Sequence, residues 1–328
     1  MSTESYAIIM VLILCWIVLM SANAVVCVVL KLLMGLRFKR AFLWGSLVLI
    51  VPPAIIAYGA LIGRNAFEVR SVTIEHEQLP KAFDGYRVVH ISDIHARSFE
   101  GRERQLQRAV ERINALHPDA IAFSGDLITM TPDELESMQS ILRGMNAEDG
   151  VYSVLGNHDY CMYSYIDSLA KVENLHRLMA IEETMGWTLL MNERRIIHRG
   201  DDSIAIIGVE NTSPSRHFPS KGNLAQASEG TEAMYRILIS HDPLHWEAEV
   251  VGRCYPLTLA GHTHAMQFSF CGWSPSRYLF PQYRGLYSTE GDDANKQFLY
   301  VNTGLGETLF PARIGVRPEI TLITLRKR

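Results

Sequence analysis

The sequence predicts an α/β domain carried behind two membrane-spanning helices, and three observations predict it. Two long uncharged apolar runs open the chain. The apolar pattern then changes to strand, helix, strand, helix, strand. Five strand-like runs end in Asp, Asn or His, side chains that hold divalent metal ions.

Composition bounds the reading. The 328 residues suffice for one large domain or two modest ones. Apolar residues make up 48% and charged residues 20%, so a packed core is expected and disorder is not. The net charge of -4 gives no reason to expect a nucleic-acid partner. Of the five Cys, Cys15 and Cys27 lie in the apolar runs. Cys161, Cys254 and Cys271 stand far apart, with neither a disulfide framework nor a CxxC zinc spacing.

The first apolar run, Tyr6 to Leu30, contains no charged residue. As a helix it would span about 37 Å against a bilayer core of about 30 Å. It is longer than the apolar stretch of a signal peptide and has no basic segment before it. The second run, Ala41 to Gly63, holds Pro52-Pro53 as a kink site. Between the runs stand Lys31, Arg37, Lys39 and Arg40 with no acidic residue. The positive-inside rule puts that loop in the cytoplasm, and therefore both termini and the soluble part outside it. The expected organisation is a two-helix anchor over 1–63, a linker and first strand over 64–85, and a catalytic domain over 86–328.

Within that domain Val69–Ile74 and Tyr86–Ser92 read as strands, the second ending in Asp93-Ile94-His95. From Arg102 to His117 the apolar residues Leu106, Ala109, Val110, Ile113 and Leu116 mark one face of a helix, stopped by Pro118. Ala120–Ser124 is the next strand, ending in Gly125-Asp126. Thr131-Pro132-Asp133-Glu134 then reads as a helix start, with Leu135, Met138, Ile141, Leu142 and Met145 on its apolar side. Gly150–Leu155 is a strand that runs into Gly156-Asn157-His158-Asp159. The alternation predicts parallel βαβαβ pairing. Further on we expect a helix over about Ile166–Met185, short strands near Thr188–Met191 and Ile204–Val209, and a polar loop over Asn211–Gly230. Strands follow at Arg236–Ser240 and Pro256–Ala260, ending at His241 and at Gly261-His262-Thr263-His264. The last section reads as antiparallel strands.

A single strand-end Asp or His is ordinarily a turn residue. Five sets at successive strand ends are not, because the carboxyl ends of neighbouring parallel strands share one edge, where α/β sheets place their chemistry. The set is Asp93 and His95, Asp126, Asn157 with His158, His241, and His262 with His264. Carboxylate, imidazole and amide donors suit Mn, Fe, Zn or a similar ion. Even seven ligands from this set of eight side chains exceed one tetrahedral site and fit two divalent ions sharing a carboxylate.

In that order and spacing the motifs Asp93-Ile-His95, Gly125-Asp126, Gly156-Asn-His-Asp159, His241 and Gly261-His-Thr-His264 resemble those of the calcineurin-like metallophosphoesterases, over about residues 85–265. The resemblance implies a four-layer α/β/β/α sandwich with a dinuclear metal centre at the sheet edge. It implies that Asp93, His95 and His264 bind one ion, that Asn157, His241 and His262 bind the other, and that Asp126 bridges them. It also implies that His158 protonates the leaving alkoxide, with Asp159 orienting its imidazole, while a metal-bridged hydroxide cuts a phosphomono- or phosphodiester. Tyr300–Gly306, Pro311-Ala-Arg313 and Pro318-Glu-Ile320 look like the tail of a bacterial membrane-associated phosphodiesterase branch; with the basic loop between the spans, the expectation is a bacterial inner-membrane protein with its catalytic domain on the extracytoplasmic side.

Some residues remain open at this stage. No Asp or Arg follows Gly125-Asp126 to handle substrate phosphate, so Arg313 or Asn302 is the candidate, with a structural salt bridge as the other reading of Arg313. His90 is expected in the core or behind the metals, and His117, His176, His198, His217 and His245 on the surface or in loops. Seven aromatic residues crowd 268–287. They read either as packing of a second sheet or as an apolar rim that admits a lipid-like substrate from the bilayer. Two alternatives to the general reading stand beside it: a UDP-sugar-lipid pyrophosphate hydrolase, which needs a cytoplasmic site, and a metal-binding membrane module without catalysis.

Overall fold

The structure is a computed structural model that describes residues 3–290 and 295–328. The chain forms two compact units, Met1–Ile62 and Gly63–Arg328. The first is a helical hairpin of α1 (Thr3–Met34) and α2 (Phe38–Leu61), both long and apolar enough to cross a bilayer. Pro52 and Pro53 lie inside α2. A polar contact joins the two helices where the rest of the face is apolar. The Asn23 amide donates to the Phe42 carbonyl at 3.2 Å and to the Ser46 hydroxyl at 3.3 Å. Gly45 gives Asn23 the room, since a Cβ there would overlap the amide.

The second unit is built on two six-stranded sheets. The first contains β1 (Glu68–His76), β2 (Arg87–Ile91), β3 (Ala120–Phe123), β4 (Val151–Ser153), β5 (Thr188–Leu189) and β12 (Glu319–Lys327) in the order β1-β12-β2-β3-β4-β5. Strands β2 to β5 are parallel, β12 runs against β2, and β1 lies parallel to β12 over nine residue pairs. Residues 64–85 therefore supply an edge strand as well as a connection.

The second sheet contains β6 (Glu193–Arg199), β7 (Asp202–Gly208), β8 (Tyr235–Ile239), β9 (Leu257–Ala260), β10 (Gly285–Ser288) and β11 (Phe298–Val301), ordered β10-β11-β9-β8-β7-β6. Its four inner strands are parallel and its two edges antiparallel. The expectation of antiparallel pairing at the C-terminal end holds for β10 with β11 and for β12 with β2. It fails for β11 with β9 and for β12 with β1, which pair in parallel.

The layers follow from which face each strand buries. Val88, Ala122, Val154, Ile206, Ile237, Leu259 and Ile323 fill the space between the sheets. Val89, Ile91, Ile121 and Phe123 face the other way, onto α3 (Glu103–Ala115) and α5 (Ser168–Thr184). On the outer side of the second sheet Ala205, Leu238 and Ala260 pack under α6 (Leu224–Ser228) and the Trp246–Val250 turn. The result is an α/β/β/α sandwich with a thin outer layer on the second sheet.

Two local expectations change. The helix expected after Thr131 is a 3-10 turn, Pro132–Leu135, followed by the four-residue α4 (Gln139–Leu142). Leu135, Met138, Leu142 and Met145 are nonetheless all buried, so the apolar spacing is met without a continuous helix. The loop expected over 211–230 contains α6. Strand β6 has no counterpart in the sequence reading. Its signal is the two-residue Gly200-Asp201 connection to β7, with Gly200 at φ 63.

Candidate metal centre

Every motif side chain arrives at one edge. Asp93 and His95 follow β2, Asp126 follows β3, and Asn157 follows β4; from the second sheet His241 follows β8, and His262 and His264 follow β9. The His241 Nδ1–H donates to the Ser124 carbonyl at 2.7 Å, tying the end of β8 to the end of β3. Five of these residues, Asp93, His95, Asp126, His262 and His264, have positive φ between 44 and 69. Such backbone costs of the order of 1 kcal/mol or more at each non-Gly residue and marks positions held for function. Two glycines permit the approach: a Cβ on Gly156 would strike the Asp126 carboxylate, and one on Gly261 would strike Ser92 and Asp93.

The donor atoms form two adjoining groups. In one, His264 Nε2 lies 3.2 Å from Asp93 Oδ1 and 3.1 Å from His95 Nε2. In the other, His241 Nε2 lies 3.2 Å from Asn157 Oδ1 and 3.2 Å from His262 Nδ1. Asp126 Oδ2 belongs to both, 3.6 Å from His95 Nε2 and 3.2 Å from His241 Nε2. Donors around a Zn-type ion at 2.0–2.2 Å stand about 3.0–3.6 Å apart, the range found here. Asp93 Oδ1 is buried without a hydrogen-bond partner. This donor set fits two divalent ions.

The electrostatics agree with that fit. Burial alone would push the carboxyls of Asp93 and Asp126 up. The imidazoles of His264 and His241 instead hold them below the ordinary carboxylate range. Burial would push His241 down, yet Asp126 raises it to about 10. His95 and His262 are lowered by burial and by neighbouring imidazoles. Two ionised carboxylates and two imidazoles held neutral are the protonation states in which these side chains ligate a metal ion.

His158 stands beside this cluster and His95, with ring centroids 4.7 Å apart. Its backbone N–H donates to Asp126 Oδ1 at 2.8 Å, and its ring Nδ1 meets the Thr129 carbonyl at 2.8 Å. The expected contact from Asp159 to this imidazole is not made, which corrects the orienting role. The Asp159 carboxylate accepts from the backbone N–H groups of Asp126, Leu127, Ile128 and Gly156 at 2.8–3.2 Å. It joins the two loops that carry Asp126 and Asn157. Burial and the charge of Asp126 nevertheless raise its carboxyl to about 7.

The remaining residues named from the sequence are placed as well, and of these His245 departs from expectation. Arg313 is buried, and its guanidinium donates to the carbonyls of Thr303 and Gly306 and lies 3.3 Å from His264 Nδ1. Among the described residues it makes no salt bridge. Asn302 is also buried, and bonds the turn at Gly304 to β2 and Thr321. Both sets of contacts are to protein groups. His90 is in the core, 2.9 Å from the Ser124 hydroxyl. His245 is buried rather than superficial, with Nδ1 2.8 Å from the Ser240 hydroxyl.

Sequence reasoning missed Thr129, Tyr163 and Phe218, whereas Phe280 is one of the seven aromatics over 268–287. The Tyr163 ring lies 4.3 Å from His158 and its hydroxyl accepts from the Asn157 amide at 3.2 Å. Phe218 and Phe280 stand 5.0 and 5.4 Å from the His262 ring. Thr129 acts through its backbone carbonyl, and Tyr163 and Phe218 come from loops without motif spacing, so no sequence signal marks these three.

Residues 86–266 match the calcineurin-like phosphoesterase family. The chain belongs to that family and is a metal-dependent phosphoester hydrolase by class. Among its relatives is the uncharacterized metallophosphoesterase YkuE of Bacillus subtilis, 28% identical over 88% of this chain and 97% of that protein. A zebrafish transmembrane protein with metallophosphoesterase domain is 32% identical over 86% of this chain, which spans 62% of the zebrafish protein. The UDP-2,3-diacylglucosamine pyrophosphatase LpxG of Chlamydia muridarum is 23% identical over 70% of this chain and 81% of its own length.

Proposed function

We propose that the chain is a membrane-anchored phosphoesterase with a dinuclear metal centre. Asp93, His95 and His264 hold one divalent ion, Asn157, His241 and His262 hold the other, and Asp126 is shared. The observation that carries this reading is the position of Asp126 Oδ2, within 3.6 Å of His95 Nε2 and 3.2 Å of His241 Nε2. When bound, the ions supply Lewis acidity, polarising the phosphoester and activating water. The chain supplies the rest. His158 keeps Nδ1 on the Thr129 carbonyl, leaving Nε2 to pass a proton to the departing alkoxide. Asp159 positions the loops that bear Asp126 and Asn157.

The two apolar helices support an anchor formed by residues 1–63, ahead of the catalytic residues 86–328. Basic residues between the spans favour an extracytoplasmic site in a bacterial inner membrane. The LpxG relative supports a second reading, hydrolysis of a nucleotide-sugar-lipid pyrophosphate, which requires a cytoplasmic site.

The test uses the purified full chain. Metal per chain is measured, then turnover of p-nitrophenyl mono- and diesters, phospholipids and a UDP-sugar lipid. Two ions per chain and metal-dependent release of product are expected. A protein that binds metal and cleaves no phosphoester overturns the reading. A reporter active only in the cytoplasm, fused after residue 64, separates the two topologies.

A further inference from the structure

The segment after His264 turns its apolar side chains outward and its polar ones inward. Met266, Phe268 and Phe270 are exposed, whereas Gln267 and Ser269 between them are buried. Phe270 is 70% exposed and Tyr278 74%, which excludes packing of the second sheet as their purpose. An apolar face in water forgoes roughly 25 cal/mol for each Å² left uncovered.

The arrangement is held firmly. His264, Ala265, Met266 and Gln267 all have positive φ, a left-handed turn that L-residues adopt at a cost. The buried Gln267 amide donates to the carbonyls of Phe310 and Ala312 at 2.6 and 3.0 Å, and its oxygen accepts from Thr308 N–H at 2.8 Å. Ser269 N–H donates to the Ile314 carbonyl at 2.8 Å. Phe270 and Trp273 exchange backbone bonds of 2.8 and 2.9 Å across Cys271-Gly272, both at positive φ, a tight hairpin with an aromatic tip. The same bonds bring Leu309 and Phe310, also exposed, alongside. From Met266 to Ser288 there is no acidic residue, while Arg277 and Arg284 are present.

We propose that this rim, residues 266–280 with Leu309 and Phe310, is a docking surface for a phospholipid bilayer. Inverted alternation, in which apolar residues face out and polar residues face in, is the pattern of strands whose outer neighbour is lipid. Trp and Tyr at the edge suit the headgroup layer, and arginine without nearby acid suits its phosphates. The same chain carries two helices fit to span a bilayer, so the occupant is within reach. The rim adjoins the metal centre through Phe280 against His262. If the proposed function also holds, it favours a phosphoester at headgroup depth.

The test reads the surface without relying on catalysis. The full chain is placed in nanodiscs of phosphatidylcholine and phosphatidylglycerol, with a fluorophore on the exposed Cys271 and with Cys15→Ser and Cys254→Ser. A second preparation carries the label on Cys254, which precedes β9 at the far end of the sheet, with Cys15→Ser and Cys271→Ser. Doxyl-lipid is expected to quench the label at 271 several-fold more than that at 254, and aqueous acrylamide the reverse. A label on Leu309→Cys repeats the measurement in case modification distorts the hairpin. Equal access of acrylamide to both positions overturns the proposal. Protection at 271 that grows with the number of chains per disc, without doxyl quenching, assigns the rim to a second copy and also overturns it. Loss of doxyl quenching at 309 in Phe270→Asp completes the expected result; unchanged quenching counts against the rim.

Discussion

The Nδ1 atom of His158 lies 2.8 Å from the carbonyl oxygen of Thr129. A carbonyl can only accept, so Nδ1 carries the proton and Nε2 is the atom left to exchange one. The backbone N–H of the same residue is bonded to Asp126 Oδ1, which leaves Oδ2 facing the imidazoles. His158→Ala is therefore expected to retain both metal ions while turnover falls roughly 10²–10⁴-fold, the scale of general acid catalysis. The deficit should be large for an alkyl ester and small for a p-nitrophenyl ester, whose leaving group needs no proton. Equal deficits on both esters, or loss of metal, would remove His158 from that role.

Asp126 is the residue on which both donor groups depend. On the proposed dinuclear centre, Asp126→Asn should bring metal content from two ions per chain to below one, measured by plasma mass spectrometry, whereas His262→Ala should spare the ion proposed at Asp93 and His264. Gly156→Ala acts on the same carboxylate by collision and should lower metal content with the donor set intact. A Gly156→Ala protein with full metal content would mean that the carboxylate has more freedom than its packing indicates.

Glu134 supports the site from outside it. Its carboxylate accepts from the N–H groups of Arg97, Thr129, Met130 and Thr131 at 2.6–3.3 Å. A hydrogen bond to a charged acceptor contributes about 1.5–3 kcal/mol net, and at this half-buried site the freed N–H groups regain water, so Glu134→Ala should cost about 2–4 kcal/mol rather than the sum over four bonds. Because Thr129 moves with that loop, turnover should fall more than metal content does. Denaturant unfolding followed by the two assays checks both parts.

Glu182, buried in α5 against the Ser153 hydroxyl, sets a pH dependence. Burial raises its carboxyl to about 8 from an ordinary value of 4.5. The folded state then binds the proton that the unfolded state has lost, so stability falls as pH rises between those values. The contribution is fully present below about pH 4.5 and is lost as pH passes 8. Thermal unfolding of the full chain in detergent should show a midpoint that declines from pH 6 to pH 9. Glu182→Gln should flatten the decline, and an unchanged slope would assign it to other groups.

The sequence by itself determined which residues meet. Parallel strands place their carboxyl ends along one edge, so the strand-end positions of Asp93, Asp126, Asn157, His241 and His262 group them from the sequence alone. The two transmembrane-length runs were legible for the same kind of reason, since length and lack of charge are one-dimensional properties. Only the tertiary structure decided that Asp126 Oδ2 faces both donor groups, because a sequence does not distinguish two oxygens of one carboxylate. It alone decided that Thr129, not Asp159, holds His158: a backbone carbonyl is the same in every residue. The rim shows the same division. Alternation of Gln267 and Ser269 with Met266, Phe268 and Phe270 tells that the two sets point opposite ways. Which side meets solvent depends on what packs behind, and here the polar set turned inward to bind the 308–314 turn.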